Sequence, residues 1–336
     1  MKRSFWVGLA AIPVVCLSTG AAAELSINAA GATFPAAIYQ KWFDEFKGAK
    51  INYQALGSGA GIQQLTQGTV DFGASDMPMK NEQIAAMKIK PLHFPTVLGA
   101  VVPVYNIPGV ATDLKLTQDA LAGIYLGTIQ KWNDPKIASE NKGVKLPNAD
   151  IITVHRSDGS GTTFIFTEYL GKISSTWKSK VGANSSVSWP VSGLAGKGND
   201  GVAGMVKQTP GSIGYVELVY AAKNNMTMAM VRNKTGKYVK ASVTSVTAAA
   251  AAAASEIPAD FRVSITDPPG ADAYPISSFT YLLIPSKIDD PAKRKALVDF
   301  LGWMLTTGQK DAPGLDYAPL PSSVVAKEKA QIASVK

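Results

Sequence analysis

The chain has 336 residues, with 33 Lys and Arg against 25 Asp and Glu, for a net charge of +8. That length supports a large core or two lobes, and a basic balance suits nucleic acid, a membrane surface or a small anion. The basic residues are scattered without interleaved aromatics, which disfavours nucleic acid, and a single cysteine, Cys16, excludes a disulfide framework.

Residues 1–23 read as a signal peptide. Lys2 and Arg3 form its positive start, residues 5–17 its apolar stretch, and Ala21 and Ala23 a small-x-small cleavage pattern before Glu24. The apolar stretch is short and interrupted by Pro13, a poor membrane span. Val15 stands where a lipoprotein signal needs a small residue, so Cys16 is expected to leave with the peptide. The mature chain then has no cysteine, and its net charge falls by two to +6, because residues 1–23 carry no acid.

Residues 25–46 read as strand, turn and helix. Residues 25–29 alternate as a half-buried strand does, and Ile38, Trp42, Phe43 and Phe46 recur at helical spacing. Pro35 suits the first helical turn, where its missing donor costs nothing. Thr33 is either a ligand donor or only a helix cap. The pattern repeats with a strand at 51–55, a turn Gly57-Ser58-Gly59-Ala60-Gly61 and a short helix opening at Ile62 and ended by Gly68. This turn lacks the Lys-Ser/Thr ending of a P-loop and the glycine spacing of a dinucleotide site. Residues 70–78 form a short strand ending in a turn at Asp76. An acid fits an anion site only if the anion carries a proton that the acid can accept; the alternative is that Asp76 caps a helix over 81–87.

Residues 94–105 and 277–284 are long apolar runs suited to strands crossing between lobes. Thr117 caps a helix carrying Leu121, Ile124 and Tyr125 and stopped by Gly127. An apolar run at 151–154 then leads into Arg156-Ser157-Asp158-Gly159-Ser160-Gly161-Thr162-Thr163, followed by a helical pattern. The first amides of a helix lack intrahelical partners and its dipole makes that end positive, so it accepts an anion. Gly159 and Gly161 let backbone approach a ligand, Ser160, Thr162 and Thr163 add hydroxyls, and Arg156 is a rigid two-pronged donor. The competing reading is a capped turn with a surface arginine. Further on, Gly196-Lys197-Gly198-Asn199 only superficially resembles a phosphate loop. The alanine run at 248–254 favours helix, residues 294–304 form an amphipathic helix, and 313–321 an irregular closing segment.

Catalysis finds little support. Ser160 does not fit the G-x-S-x-G elbow. Neither His93 nor His155 lies in a metal-binding pattern, and without mature cysteines a closed structural zinc site is not expected. No cofactor or metal is expected. His155 should face away from Arg156 on its strand and serve structure.

Three turns, one acid and one arginine converge on a tetrahedral oxyanion. The segments AGATFP (30–35), NYQALGSGAGIQQL (52–65), VDFGASDMP (70–78), FPTVLGAVVPVYNIPG (94–109), IYLGTIQKWND (124–134), RSDGSGTTFIFTEYL (156–170), WPVSGLAGKGNDGVA (189–203), GSIGYVE (211–217) and LDYAPLPSSVV (315–325) resemble the PstS family. These are the periplasmic phosphate-binding proteins of bacterial ABC transporters, and the match runs through nearly the whole mature chain. The resemblance implies an α/β fold of the type II periplasmic-binding class, with two lobes joined by two crossing strands. Lobe one would comprise 24–104 with 278–336, and lobe two 105–277. It also implies binding of inorganic phosphate through Ala32, Thr33, Phe34, Ser58, Asp76, Arg156, Ser160, Gly161 and Thr162. Asp158 would orient Arg156. A periplasmic monomer handing phosphate to transmembrane permease subunits, without turnover, follows from the same resemblance. A phosphate-ester hydrolase using Ser160 and a receptor for another protonated oxyanion are the alternatives.

Overall fold

The structure is a computed structural model that describes residues 25–336; the signal peptide expected over 1–23 lies outside them. The elements run in chain order β1 (Ser26–Gly31), α1 (Ala36–Glu45), β2 (Lys50–Ala55), α2 (Ser58–Gln67), β3 (Phe72–Ser75), α3 (Asn81–Ala85) and β4 (Pro91–Asn106). The middle of the chain adds β5 (Lys115–Leu116), α4 (Gln118–Leu126), α5 (Pro135–Ala138), β6 (Ile152–Arg156), α6 (Gly161–Ile173), α7 (Ser175–Lys180), β7 (Leu194–Gly196), α8 (Gly198–Gln208), β8 (Ser212–Glu217) and α9 (Leu218–Lys223). Short strands β9 (Thr227–Met228), β10 (Met230–Arg232) and β11 (Tyr238–Val239) precede α10 (Val243–Ala252), and β12 (Ser277–Pro285), α11 (Pro291–Met304) and α12 (Ser322–Ile332) follow.

β1 pairs in parallel with β2 on one side and β3 on the other, and β12 lies antiparallel between β3 and β4. Residues 91–100 of β4 pair with β12, but residues 101–106 pair with β8, and β6 and β7 extend the sheet beyond β8. A single buried strand thus serves two α/β lobes. The chain returns to the first lobe at the start of β12, where the Val101 amide bonds the Ile276 carbonyl at 2.9 Å. The two apolar runs expected to cross are β4 and β12. The register of this pair slips between Thr280 and Tyr281, leaving Thr96 as the extra residue. Such a bulge re-aims side chains.

The helices follow their apolar spacing. α1 buries Ile38, Tyr39, Trp42 and Phe43, and rings of Phe43, Tyr53 and Phe300 meet at 5.4–5.7 Å. α2 begins at Ser58, four residues before the expected Ile62, because Gly57 as N-cap takes a φ of 101° that a residue with a Cβ rarely adopts. α3 starts after Lys80, so Asp76 does not cap it. Thr33 is not a cap either: the residue before α1 is Pro35, with no side-chain cap. In the second lobe, Phe166 of α6 stacks on Tyr215 of β8 at 4.4 Å, seating the helix on the sheet. The alanine-rich α10 starts at a reciprocal Ser242–Ser245 cap. α12 was not expected; only Val324 and Glu328 of it are buried, too little apolar face to stand out. Among the described residues no helix is long and apolar enough to cross a membrane.

Candidate functional site

β1 ends in the turn Ala32–Pro35, which is held from behind by three tyrosines. Tyr53, Tyr220 and Tyr317 donate their hydroxyls to the carbonyls of Ala32, Thr33 and Phe34, respectively, at 2.5–2.6 Å. Within a trans peptide the carbonyl and the next N–H point in opposite directions. Tying the Ala32 and Thr33 carbonyls therefore turns the Thr33 and Phe34 amides away from the tyrosines. Among the described residues neither amide has a protein acceptor. The Ala32 amide does have one, donating to the Ala74 carbonyl at 3.1 Å. Burial of these tyrosines raises their pKa well clear of neutrality, so each remains a donor.

α2 brings Ser58 beside the end of β3. Its buried hydroxyl oxygen accepts the amides of Asp76 and Gly161, both at 3.1 Å, and stands 3.4 Å from Asp76 Oδ2. Asp76 is 1% exposed. Its Oδ1 accepts the Thr280 hydroxyl at 2.8 Å. Burial pushes the Asp76 carboxyl up to about 7, against the opposing pull of the Thr280 hydroxyl, the Arg156 charge and the Ser58 hydroxyl.

β6 ends in Arg156, whose side chain is buried. Its Nε donates to Asp158 Oδ1 at 2.7 Å, its Nη2 to Asp158 Oδ2, and its Nη1 to Thr162 Oγ1 at 3.5 Å. One N–H on each terminal nitrogen remains for an anion. Burial works to raise the Asp158 carboxyl, but the Arg156 guanidinium and the Gly198 amide outweigh it and hold the group below the usual range. Ser160 caps α6 by accepting the Thr163 amide at 3.0 Å, which leaves its hydroxyl hydrogen free to donate. Gly161 opens the helix, where a Cβ would stand 2.5 Å from Ser58 Oγ and 2.6 Å from Asp76 Cβ. The Thr163 and Tyr215 hydroxyls bond at 2.7 Å, fixing this first turn to β8. The Gly59 amide bonds the Gly159 carbonyl at 2.9 Å, so the two glycine turns touch across the cleft.

The structure thus gathers Ala32, Thr33, Phe34, Ser58, Asp76, Arg156, Asp158, Ser160, Gly161 and Thr162 around one cleft. It adds residues that sequence reasoning passed over: Thr280 on Asp76, the three tyrosines, and Asn199, whose Nδ2 bonds Thr33 Oγ1 at 2.8 Å and Thr162 Oγ1 at 3.2 Å. Asn199 belongs to the Gly-Lys-Gly-Asn stretch set aside as a false phosphate loop, and its position two residues beyond that lysine was the available signal. The histidines lie elsewhere. His155 stacks on Trp189 at 5.0 Å, while His93 accepts the Met79 amide and is pushed down to about 4 by burial and Arg262. Among the described residues no His, Cys, Asp and Glu group suits a metal ion.

Residues 18–307 match the family model of the PBP superfamily domain. The chain is 46% identical to the phosphate-binding protein PstS of Pasteurella multocida, a match covering 91% of this chain and 89% of that one. It is 43% identical to the phosphate-binding protein PstS of Methanocaldococcus jannaschii, covering 89% and 83%. Among solved structures, a high-affinity periplasmic phosphate-binding protein bound with phosphate matches with a TM-score of 0.74 at 22% identity, covering 91% of this chain and 93% of that one. The structural match supports the two-lobed fold, and the sequence matches span nearly all of both partners. The chain belongs to the PstS family of the PBP superfamily, with a type II fold of two α/β lobes joined by two crossing strands.

Proposed function

We propose that the cleft binds inorganic phosphate and that the protein passes it to the permease of an ABC-type importer, without chemical turnover. The observation that carries this reading is a buried carboxylate, Asp76, set among donors. Arg156, the Thr33 and Phe34 amides, and the Ser160 and Thr162 hydroxyls call for an oxyanion, with Ser58 and the Gly161 amide bonded to each other beside them; Asp76 calls for an anion that still holds a proton. Protonated phosphate meets both demands. Asp158 holds the Arg156 fork, and Ala32 shapes the turn. The single proton shared by Asp76 and a phosphate oxygen makes their contact attractive, whereas fully ionised sulfate sets a lone pair against the carboxylate. A desolvated anion needs nearly every oxygen bonded. Charge-assisted bonds contribute about 1.5–3 kcal/mol each, and micromolar binding requires about 8 kcal/mol, so a handful suffices after ordering costs.

The relatives are named binding proteins, and Ser160 has no bonded base: its hydroxyl caps α6. This favours a receptor over a hydrolase. The expected signal peptide supports a periplasmic site of action, and the lobes are proposed to span 24–104 with 278–336 and 105–277, the limit after 104 lying four residues past the change of partner between Ala100 and Val101 of β4. Permease contact and a monomeric state follow the family. The test is calorimetry on protein unfolded and refolded to remove carried-over ligand, with phosphate titrated against sulfate competitor and a chromogenic phosphate ester assayed alongside. Tight one-to-one phosphate binding, indifferent to sulfate and without ester cleavage, is expected. Equal binding of both anions would overturn the role of Asp76, and cleavage lost in Ser160→Ala would establish the hydrolase.

A further inference from the structure

We propose that Asn199 is a positioning residue that fixes the direction of two ligand-facing hydroxyls, one from each lobe; this rests on the phosphate reading of the cleft. Asn199 lies in the first turn of α8, directly after Gly198, whose φ of 69° swings the helix start toward the N-terminal turn. The residue is fully buried. Its Oδ1 accepts the Glu217 amide at 3.0 Å. A backbone amide can only donate, so this bond settles which end of the side-chain amide faces which neighbour. The Nδ2 end therefore faces the threonines, with Thr33 Oγ1 at 2.8 Å and Thr162 Oγ1 at 3.2 Å.

A hydroxyl has one hydrogen and two acceptor sites. Thr162 Oγ1 accepts from Asn199 Nδ2 and from Arg156 Nη1 at 3.5 Å. Thr33 Oγ1 accepts from Asn199 Nδ2 and from the Asn199 backbone amide at 3.4 Å. Both oxygens are filled on the acceptor side by groups that cannot take a hydrogen. Each threonine is left with its O–H as the only free function, and the cleft oxyanion is the acceptor that meets it. A single side chain thereby converts two ambivalent hydroxyls into donors. Its bond to Thr33 also spans the lobes, so the donors are set only as the walls meet.

The test compares Asn199→Asp with Asn199→Ala. Aspartate is nearly isosteric but offers acceptors where the amide offered donors, so both threonines would turn their hydrogens toward it. Titration with inorganic phosphate at pH 8 should show Asn199→Asp weakened about a hundredfold, and clearly more than Asn199→Ala. The Asn199→Asp to wild-type affinity ratio should recover on acidification, as the new carboxyl gains a proton and one donor returns; the Asn199→Ala ratio should stay flat. A new carboxylate beside the anion also repels it directly, so the deciding measurement is Asn199→Ala introduced into Thr33→Val/Thr162→Val protein. It should cost little there, since the hydroxyls it orients are gone, and an undiminished further loss sinks the idea. Wild-type protein that fails to bind phosphate would instead remove the parent reading, a result visible before any variant is made.

Discussion

The two walls of the cleft present similar donors but treat charge in opposite ways. On the first lobe, neutral amides and hydroxyls surround Asp76, whose partners are the Thr280 and Ser58 hydroxyls; its carboxyl rises to about 7. On the second lobe, Asp158 sits against the Arg156 fork and the Gly198 amide and is held below its ordinary range. Burial lifts one aspartate of the cleft while the Arg156 guanidinium holds the other down, the pattern that assigns proton roles in acid–base sites. Here the pairing gives binding roles: one wall carries a fixed cation, the other a carboxylate able to share a proton.

Removing the cation should have the largest effect. Arg156→Ala deletes two charge-assisted bonds worth about 1.5–3 kcal/mol each and strands Asp158. Phosphate affinity by calorimetry should fall by about two to four decades, while the melting transition remains cooperative. Near-normal affinity in the folded variant would break the division of labour between the walls.

Titrating the other wall comes next. Below about 7 Asp76 holds a proton and can donate to sulfate; above it the bare carboxylate repels sulfate. Sulfate competition should therefore grow as pH falls through neutrality and be slight at pH 8.5. Asp76→Asn, which always has an N–H to offer, should admit sulfate at every pH. A site built on one obligatory bond discriminates by roughly 10⁴–10⁵, so the shift at pH 8.5 should be large. The same group affects stability. Between its ordinary value of 3.8 and about 7 the folded protein holds a proton that the unfolded chain has lost, so stability declines as pH rises through that window. Protein without phosphate should melt higher as Asp76→Asn than as wild type at pH 8, with the difference vanishing near pH 4.

Smaller changes sharpen the contrast within the first wall. Thr280→Val removes the hydroxyl that pins Asp76 Oδ1 and should cost about tenfold in phosphate affinity, with Thr280→Ser restoring it; equal losses in both would make the methyl the important part. Tyr53→Phe frees the Ala32 carbonyl. It should lower stability by about 1 kcal/mol and affinity by a few-fold, read from denaturant melts and the same titration.

The turns that the structure brings together around the cleft were legible because each is a local pattern. A strand, a small-residue turn and a helix start recur at Ala30–Pro35, at Gly57–Gly61 and at Arg156–Thr163, and the handling of an oxyanion follows from helix ends alone. Asp76 was legible as an anomaly, an acid where donors belonged. What stayed hidden reaches the cleft through tertiary contact. Asn199 meets Thr33 across 166 positions, Thr280 meets Asp76 across 204, and Tyr317 meets the Phe34 carbonyl across 283. No spacing rule links residues so far apart. The early start of α2 was missed for another reason: Ser58, Gly59 and Gly61 of its first turn are weak helix formers with only Ala60 favouring helix, and the turn is held as helix by what Ser58 bonds.

Where the two glycine turns pass one another, a Cβ on Gly59 would stand 3.1 Å from the Gly159 Cα, and one on Gly159 3.2 Å from the Gly59 Cα. The jaws therefore shut on bare main chain, with no side chain acting as a gasket. A methyl at either place is a doorstop. Alanine there would prop the jaws ajar without touching a single donor, and larger residues would prop them wider, giving a graded set of apertures with the chemistry of each wall left whole.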